Sequence, residues 1–204
     1  MIPIFPLPNA VLFPNVFLPL HIFEDRYRKM VRDVLAGDRI IGMVLLRSKT
    51  VDVAEPCPPV YEVGCSGVIT HSELLEEGRF NIVLRGLERF RILEEDHTQP
   101  YRQARVEGLA EPAVDDSALR DHRQRLEGLL HQRLTVAGSE AQGVSCMPDG
   151  DLVNALSQYL DLDPIEKQAL LERNGLLERC RSLVELLEMH ALTNGQNFPP
   201  LTVQ

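Results

Sequence analysis

The 204-residue chain is 44% hydrophobic and 25% charged, with a formal net charge of -9 and a pI near 5.2. These values are typical of a globular protein with one large core or two small ones. The acidic balance argues against a protein that binds nucleic acids or anionic membrane surfaces, since both kinds of binding need clustered positive charge. No apolar run reaches the roughly 18–20 residues of a membrane-spanning helix.

Cysteine usage favours a reducing compartment. The four cysteines show neither a C-x-x-C pair nor the regular spacing of a disulfide framework. They are Cys57, Cys65, Cys146 and Cys180. The first residues do not resemble a secretion signal. We therefore expect a soluble, cytoplasmic protein.

The first half of the chain has the pattern of strands and turns. From Ile2 to about Ala110, short apolar runs are broken by proline and glycine. One stretch differs, because apolar residues recur every three or four positions between Phe23 and Leu35. We predict a helix there, with Phe23, Tyr27 and Met30 on its inward face.

Further strands follow that helix. The β-branched run Arg39–Arg47 predicts one strand, and Glu76–Arg79 is typical of a hairpin turn that joins Gly67–Leu75 to Phe80–Leu84. Another strand is predicted after Gly86. Short strands with many tight turns and few helices favour a small, strongly bent barrel or sandwich.

The second half is predicted to be helical. Composition changes at Glu111–Asp116, and leucine spacing then becomes helical. The segment Asp163–Glu166 offers an N-cap carboxylate, a proline at the first helical position and a glutamate three residues after the cap, so a helix begins there. A left-handed turn at Asn174–Gly175 ends it. The predicted helices cover about 119–138, 152–160, 164–174 and 176–189.

These patterns divide the chain into three parts. We predict a barrel-like subdomain over 1–112, a helical bundle over 113–192 and a flexible tail over 193–204. The resulting fold class is α+β.

Enzymatic motifs are scarce. A P-loop needs a Gly-Lys pair, and the sequence contains none. Ser48 and Lys49 are neighbours on a strand and would point to opposite faces, whereas a distant Lys49–Ser66 pair stays open as a hydrolase alternative. No G-x-S-x-G motif surrounds any serine. We expect no catalytic residue.

Metal-binding patterns are equally weak. The six histidines are scattered, and no two lie at metal-ligand spacing with a third donor close by. Cys57 and Cys65 with His71 form one candidate ligand set, but a free cysteine more often acts as a small buried hydrophobe. We therefore expect neither a metal nor another cofactor.

Two blocks of sequence carry a family resemblance. The opening Ile4–Pro14, IFPLPNAVLFP, with Leu18–Glu24 and Arg26–Arg28, resembles the start of the N-terminal substrate-binding domain of Lon-type ATP-dependent proteases. Gly64–Ile69 and Gly78–Ile92 resemble the same domain in the same order. A weaker match over 166–172 resembles its helical part. Together these blocks extend over most of the chain from Ile2 to about Met189.

The resemblance implies a fold and a class of function. It implies a PUA-like, six-stranded β-barrel with one inserted helix, followed by a C-terminal helical bundle. In the family this domain contributes to substrate engagement and protease assembly, and a related domain serves in the adaptor cereblon. A Lon protease continues into ATPase and Ser-Lys peptidase domains, whereas this sequence stops at Gln204. We therefore expect a stand-alone, non-enzymatic module.

The leading hypothesis is a module that binds unfolded or hydrophobic polypeptide segments, or a folded protein partner, as an adaptor. We predict that the segment lies in an apolar groove between the barrel and the bundle. The predicted contact residues are Phe13, Phe17, Ile22 and Phe80.

Two alternatives belong to other classes. An RNA-binding PUA-like protein would need an exposed arginine cluster, for which the candidates are Arg79, Arg85, Arg89 and Arg91. A small hydrolase would need a convergent cluster of residues from distant parts of the chain. The sequence leaves the oligomeric state open.

Overall fold

The computed structural model describes residues 1–48, 57–114, 116–137 and 147–193. The chain forms two compact units, of which the first is Met1–Ala110 and the second begins at Glu111. The described residues form a mixed α+β structure with one six-stranded sheet and five α-helices. Apart from Thr193, the predicted flexible tail lies outside the described residues.

All six strands belong to the first unit. They are β1 (Ile2–Leu7), β2 (Phe17–Ile22), β3 (Ile40–Leu45), β4 (Val63–Leu74), β5 (Phe80–Asp96) and β6 (Gln103–Gly108). Their order is β2-β5-β4-β3-β1-β6, and β6 also pairs with β5. The pairing path therefore runs from β5 through β4, β3, β1 and β6 back to β5, and β2 is attached outside that path.

The long strand β5 joins two parts of the sheet. Its first residues, Phe80–Arg85, pair with β2, and its last, Phe90–Asp96, pair with β6. Register shifts interrupt its pairing with β4 and with β6. Such bulges bend a strand and increase its twist, which allows one strand to serve two neighbours in different directions.

A bulge attaches β2 to β5. Asn15 has a φ of 60°, and its N–H donates to the carbonyl of Gly86 at 2.9 Å, while the Gly86 N–H donates to the carbonyl of Val16 at 2.8 Å. Asn15 and Val16 thus both face Gly86, and Asn15, the first of the two, has the left-handed conformation. A Cβ on Gly86 would lie 2.0 Å from the carbonyl oxygen of Phe13. Glycine is therefore required for the two chains to approach here.

The predicted helix in the first unit is α1, Asp25–Leu35. It buries Tyr27 and Met30 as predicted, and the Tyr27 ring packs against Phe5 with ring centroids 4.4 Å apart. The prediction for Phe23 was wrong, because this side chain precedes the helix and is 62% exposed. Phe23 follows β2 directly, where alternation in phase with exposed His21 turns it outward.

Four helices form the described part of the second unit, as the spacing predicted. They are α2 (Asp116–Ala137), α3 (Asp149–Tyr159), α4 (Pro164–Leu171) and α5 (Leu176–Thr193). The predicted start of α4 is confirmed, since the Ile165 N–H donates to Asp163 Oδ1 and the Asp163 N–H donates to Glu166 Oε2. Gly175 has the predicted left-handed backbone, with a φ of +95°. No helix in the described ranges is long and apolar enough to cross a membrane.

One arginine is buried inside the helical unit. Arg179 on α5 is 1% exposed; its Nη1 donates to Asn154 Oδ1 at 3.0 Å, and its Nη2 donates to Glu111 Oε1 at 2.8 Å. Burial of a guanidinium is tolerated only when such partners compensate for lost water. The contact ties the first residue of this unit to α3 and α5.

Candidate functional site

The outward side chains of β2, β5 and the end of β4 form a continuous surface, which we call the three-strand face. Along β2, exposed side chains alternate with buried or partly buried ones, and on β5 up to Arg85 buried side chains alternate with partly buried or exposed ones. The outward set is Phe17, Pro19, His21, Asn81, Val83, Arg85, Val68, His71 and Glu73. The face thus mixes apolar with polar groups and both signs of charge.

A chain of hydrogen bonds crosses this face from strand to strand. His21 on β2 stands opposite Asn81 on β5, which stands opposite Glu73 on β4. Asn81 Nδ2 donates to Glu73 Oε2 at 3.2 Å, and the His21 Nδ1 atom lies 2.8 Å from Asn81 Oδ1. Because an amide oxygen only accepts, the Nδ1 atom of His21 donates in this hydrogen bond.

Large apolar side chains lie exposed around the three-strand face. Phe17 is 48% exposed at the start of β2, and Phe23, 62% exposed, follows its end and stacks on His21 at 6.2 Å between ring centroids. Leu74, 65% exposed at the end of β4, pairs with Phe80 and so has the phase of the opposite side of the sheet. Isolated exposed apolar residues are common, but a group on one surface is typical of binding sites.

The hairpin between β4 and β5 is held by α1. It turns through Glu77 and Gly78, whose φ angles of 61° and 73° match the predicted turn at Glu76–Arg79. Arg28 donates to the carbonyl of Glu77, and the Arg32 guanidinium lies 5.9 Å from the centre of the Phe80 ring. These contacts cover Phe80 and fix the end of the three-strand face.

The structure separates the four predicted contact residues. Phe17 is exposed on the three-strand face, whereas Phe13, Ile22 and Phe80 are buried in the core. The cause is the two-residue period of a strand. Ile22 is in phase with buried Leu18, and Phe80 is in phase with the inward-facing residues of β5. Sequence reasoning passed over His21 and assigned Phe23 to the core, although the same period marks His21 as outward.

The four candidate arginines for RNA binding do not share one environment. Arg89 is 3% exposed, whereas Arg85 and Arg91 are exposed. Arg79 forms an ion pair with Glu77 at 3.7 Å. Since a nucleic-acid footprint needs several accessible cations on one surface, this placement gives the RNA hypothesis little support.

The structure describes the candidate residues of the hydrolase and metal hypotheses except Lys49. Lys49 falls outside the described residues, and Ser66 Oγ donates to the carbonyl of Glu88 at 3.1 Å. Cys65 is buried, and exposed Cys57 lies 3.5 Å from Nδ1 of His97. In the described part of the chain, no group of three or more His, Cys, Asp or Glu side chains is placed to hold a metal ion.

Known proteins resemble the chain over most of its length. A Lon protease of Dictyoglomus thermophilum is 27% identical over 200 residues, which cover 92% of this chain and 24% of that protein. A Lon protease of Flavobacterium johnsoniae is 30% identical over 187 residues, which cover 88% and 23%. The chain thus spans about a quarter of the length of the curated relatives it matches.

Solved structures share the fold. The N-terminal domain of the Mycobacterium avium complex Lon protease superposes with a TM-score of 0.71 at 16% identity, covering 93% of this chain and 98% of that one. A Lon N-terminal domain protein from Xanthomonas campestris superposes with a TM-score of 0.65 at 20% identity, covering 90% and 96%. At these identities the likeness concerns the fold.

The family assignment rests on the sequence. Residues 1–189 match the family described as the substrate-binding domain of ATP-dependent protease La (LON). This match includes both the six-stranded sheet and nearly all of the helical unit. The chain therefore belongs to the family of Lon substrate-binding domains.

Proposed function

We propose that this protein is a non-enzymatic module that binds unfolded or hydrophobic polypeptide segments on its three-strand face. The observation that carries the proposal is the exposure of Phe17 and Phe23 at the two ends of the β2 row on that face, in a member of a substrate-binding family. Phe17 contacts the segment directly. Phe13, Ile22 and Phe80 support the surface from inside the core.

The chemistry of the three-strand face suits a polypeptide. Apolar side chains contribute most of the free energy of such contacts, and the polar groups between them orient the bound backbone. The His21–Asn81–Glu73 chain supplies both donors and acceptors, which suit peptide groups of any sequence. A surface of this kind binds many segments weakly and with little selectivity, as a substrate-recruiting module requires.

Wider features of the proposal follow the family. We infer that the pairing path that returns to β5 forms a PUA-like barrel, and that the bound segments are passed to an ATP-dependent protease or shielded, in an adaptor role. We place this activity in the cytoplasm, which agrees with the free thiols of Cys57, Cys65 and Cys180.

The direct test is fluorescence anisotropy with a labelled, permanently unfolded polypeptide, such as reduced and alkylated α-lactalbumin. We expect saturable binding that persists as salt is raised, because apolar contacts are not screened. Phe17→Ser should weaken binding roughly tenfold, the usual effect of removing an aromatic contact. Leu93→Ser is the matched control, since Leu93 is 49% exposed on the distant half of β5, and it should leave the affinity unchanged.

Two outcomes would contradict the proposal. Equal loss of affinity in the Phe17 and Leu93 variants would exclude the three-strand face as the binding site. Binding of single-stranded RNA that falls steeply with salt, without polypeptide binding, would favour the RNA-binding alternative.

A further inference from the structure

We propose that Cys57 is a reactive thiol that hydroperoxides oxidise to a sulfenic acid, with His97 as the base that takes its proton. Cys57 is exposed and forms no disulfide. Its Sγ atom lies 3.5 Å from Nδ1 of His97. An accessible cysteine within hydrogen-bond reach of an imidazole has the arrangement of an activated sulfur nucleophile. This modification site is independent of the proposed polypeptide binding.

A carboxylate on the other side of the imidazole ring completes the group. The Nε2 atom of His97 lies 3.8 Å from Oε2 of Glu95, near the end of β5. A negative charge there favours the tautomer with its proton on Nε2 and stabilises the imidazolium that forms when the ring takes a second proton. The Nδ1 atom then accepts the proton of the Cys57 thiol. The next carboxylate, that of Asp96, accepts hydrogen bonds from Thr98 instead.

Arg102 holds two parts of this group in place. Its Nε donates to Oε2 of Glu95 at 2.8 Å, and its Nη1 donates to the carbonyl of Pro58, the residue after Cys57, at 2.7 Å. The Arg102 side chain is only 12% exposed. Because a guanidinium is planar and its donors have a fixed geometry, it keeps the carboxylate and the segment that carries the thiol at a set separation. The thiol, the imidazole and the carboxylate are thus positioned by folding, although they come from distant parts of the chain.

The oxidation balances with a hydroperoxide as the oxidant. The thiol proton passes to Nδ1 of His97, and the sulfur attacks one oxygen of hydrogen peroxide. An S–O bond forms, the O–O bond breaks, and the leaving hydroxide takes the proton from the ring and departs as water. The sulfur loses two electrons and becomes a sulfenic acid, while the peroxide is reduced. Since the thiolate is the attacking species, a base within reach of the thiol raises the rate at neutral pH.

Two other cysteines of the described residues have different surroundings. Cys65 and Cys180 are buried, and burial raises the pKa of the Cys180 thiol to about 11. The Sγ atom of Cys65 donates to the carbonyl of Ser66 at 3.4 Å. Buried neutral thiols are inert towards oxidants. Oxidation of the folded protein should therefore select Cys57 over these two, which serve as references within the same molecule.

Dimedone, which traps sulfenic acids, is the probe for the test. The whole chain is treated with hydrogen peroxide and dimedone at pH 7, once folded and once unfolded in urea, and mass spectrometry follows the labelling of each cysteine. We expect Cys57 to be labelled about tenfold or more faster in the folded protein, since a positioned base contributes at least this much. Exposure alone predicts the opposite order, because unfolding exposes every thiol.

His97→Gln removes the base, and His71→Gln is the matched control. Labelling of Cys57 should slow about tenfold or more in His97→Gln. It should not change in His71→Gln, since His71 is exposed and pairs with Val83 in the first half of β5, whereas Glu95 lies near the end of that strand.

The pH profile distinguishes a base from a residue with a structural role. The native protein should keep its labelling rate down to about pH 6.5, where an imidazole gains a proton. His97→Gln should lose about tenfold for each pH unit below about 8.5, as a thiol without a base does. Circular dichroism checks that the variants are folded, and the comparison of folded with unfolded native protein needs no variant.

Three results would overturn the inference. The first is labelling of Cys57 that is no faster in the folded protein than in urea. The second is an equal rate and an equal pH profile in the native protein and in folded His97→Gln, because the imidazole would then take no part. The third is equal labelling of Cys57, Cys65 and Cys180 in the folded protein.

Discussion

Gly86 shows how one residue decides whether β2 can join the sheet. The carbonyl oxygen of Phe13 lies 2.0 Å from the position that a Cβ would take. That oxygen is a backbone atom and the Cβ position is fixed by the backbone, so the contact can be relieved only if the backbone shifts. Gly86→Ala should therefore lower the free energy of unfolding by roughly 1–3 kcal/mol or more, as overpacking does. Urea denaturation followed by circular dichroism measures the change.

The matched control is Gly128→Ala in α2. A Cβ there would meet nothing within 4 Å, and alanine is favoured over glycine in a helix. We expect stabilisation of about 0.5–1 kcal/mol. Similar losses in both variants would show that the crowding at Gly86 relaxes or is absent.

Tyr101 carries a pH dependence whose sign is determined by its surroundings. Its hydroxyl donates to Asp33 Oδ2 at 2.9 Å, and burial, together with that hydrogen bond and the carboxylate charge, raises its pKa to about 12. The neutral phenol is thus favoured in the folded state. Its contribution to stability is fully present below the unfolded pKa near 10 and is lost as the pH rises through about 12.

The variant Tyr101→Phe isolates this contribution. At pH 8 it should be less stable than the native protein by about 1 kcal/mol, the net value of a hydrogen bond. Because the phenol ionises in the unfolded chain from about pH 10 but in the native protein only near pH 12, the difference should shrink between these two values. Urea titrations of both proteins across this range measure it, and a constant difference would contradict the assignment.

The three-strand face also shows what local sequence predicts. Alternation along Phe17–Ile22 is readable from the sequence, and applied strictly it separates outward Phe17 and His21 from inward Ile22. The misplacement of Phe23 has another cause. Its three- and four-residue spacing to Tyr27 and Met30 fits a helix, but α1 begins only at Asp25, and β2 ends at Ile22.

At the scale of elements, the helical unit depends on the buried contact of Arg179. Arg179→Ala would remove its hydrogen bonds to Asn154 and Glu111 and leave a cavity in α5 packing. We expect a loss of about 2–3 kcal/mol, since Glu111 is partly exposed and can be solvated. Chemical denaturation of the purified variant measures this change.

Arg181→Ala is the control on the same helix. Arg181 pairs with Glu185 at 3.0 Å, and both side chains are more than half exposed. Exposed pairs contribute little, so the change should stay within about 0.5 kcal/mol. Comparable effects of the two substitutions would argue that the Arg179 contact contributes no more than a surface pair.

Elements and their pairing differ in how well sequence predicts them. The capping box at Asp163–Glu166 and the hairpin turn at Glu76–Arg79 depend on residues close in sequence, and both were predicted from it. The pairing of β6 with both β1 and β5 joins residues from Ile2 to Gly108. Such long-range pairing leaves no local pattern, and only the family resemblance implied six strands.

At the scale of the whole molecule, one strand is attached to the rest of the sheet through a single neighbour among the described strands. The path through β5, β4, β3, β1 and β6 returns to β5, whereas β2 lies outside it. The candidate site therefore depends on this topology and on the outward phase of Phe17 and Phe23.

The most direct measurement is a titration of the isotopically labelled protein with an unfolded polypeptide, followed by backbone amide chemical shifts in NMR spectra. We predict that the largest changes occur in β2, at the facing residues of β5 up to Arg85, and at Phe23. The amide of Leu93, on the distant half of β5, should not shift. Changes concentrated around Leu93 or in the helical unit, with β2 unaffected, would contradict the three-strand face as the binding surface.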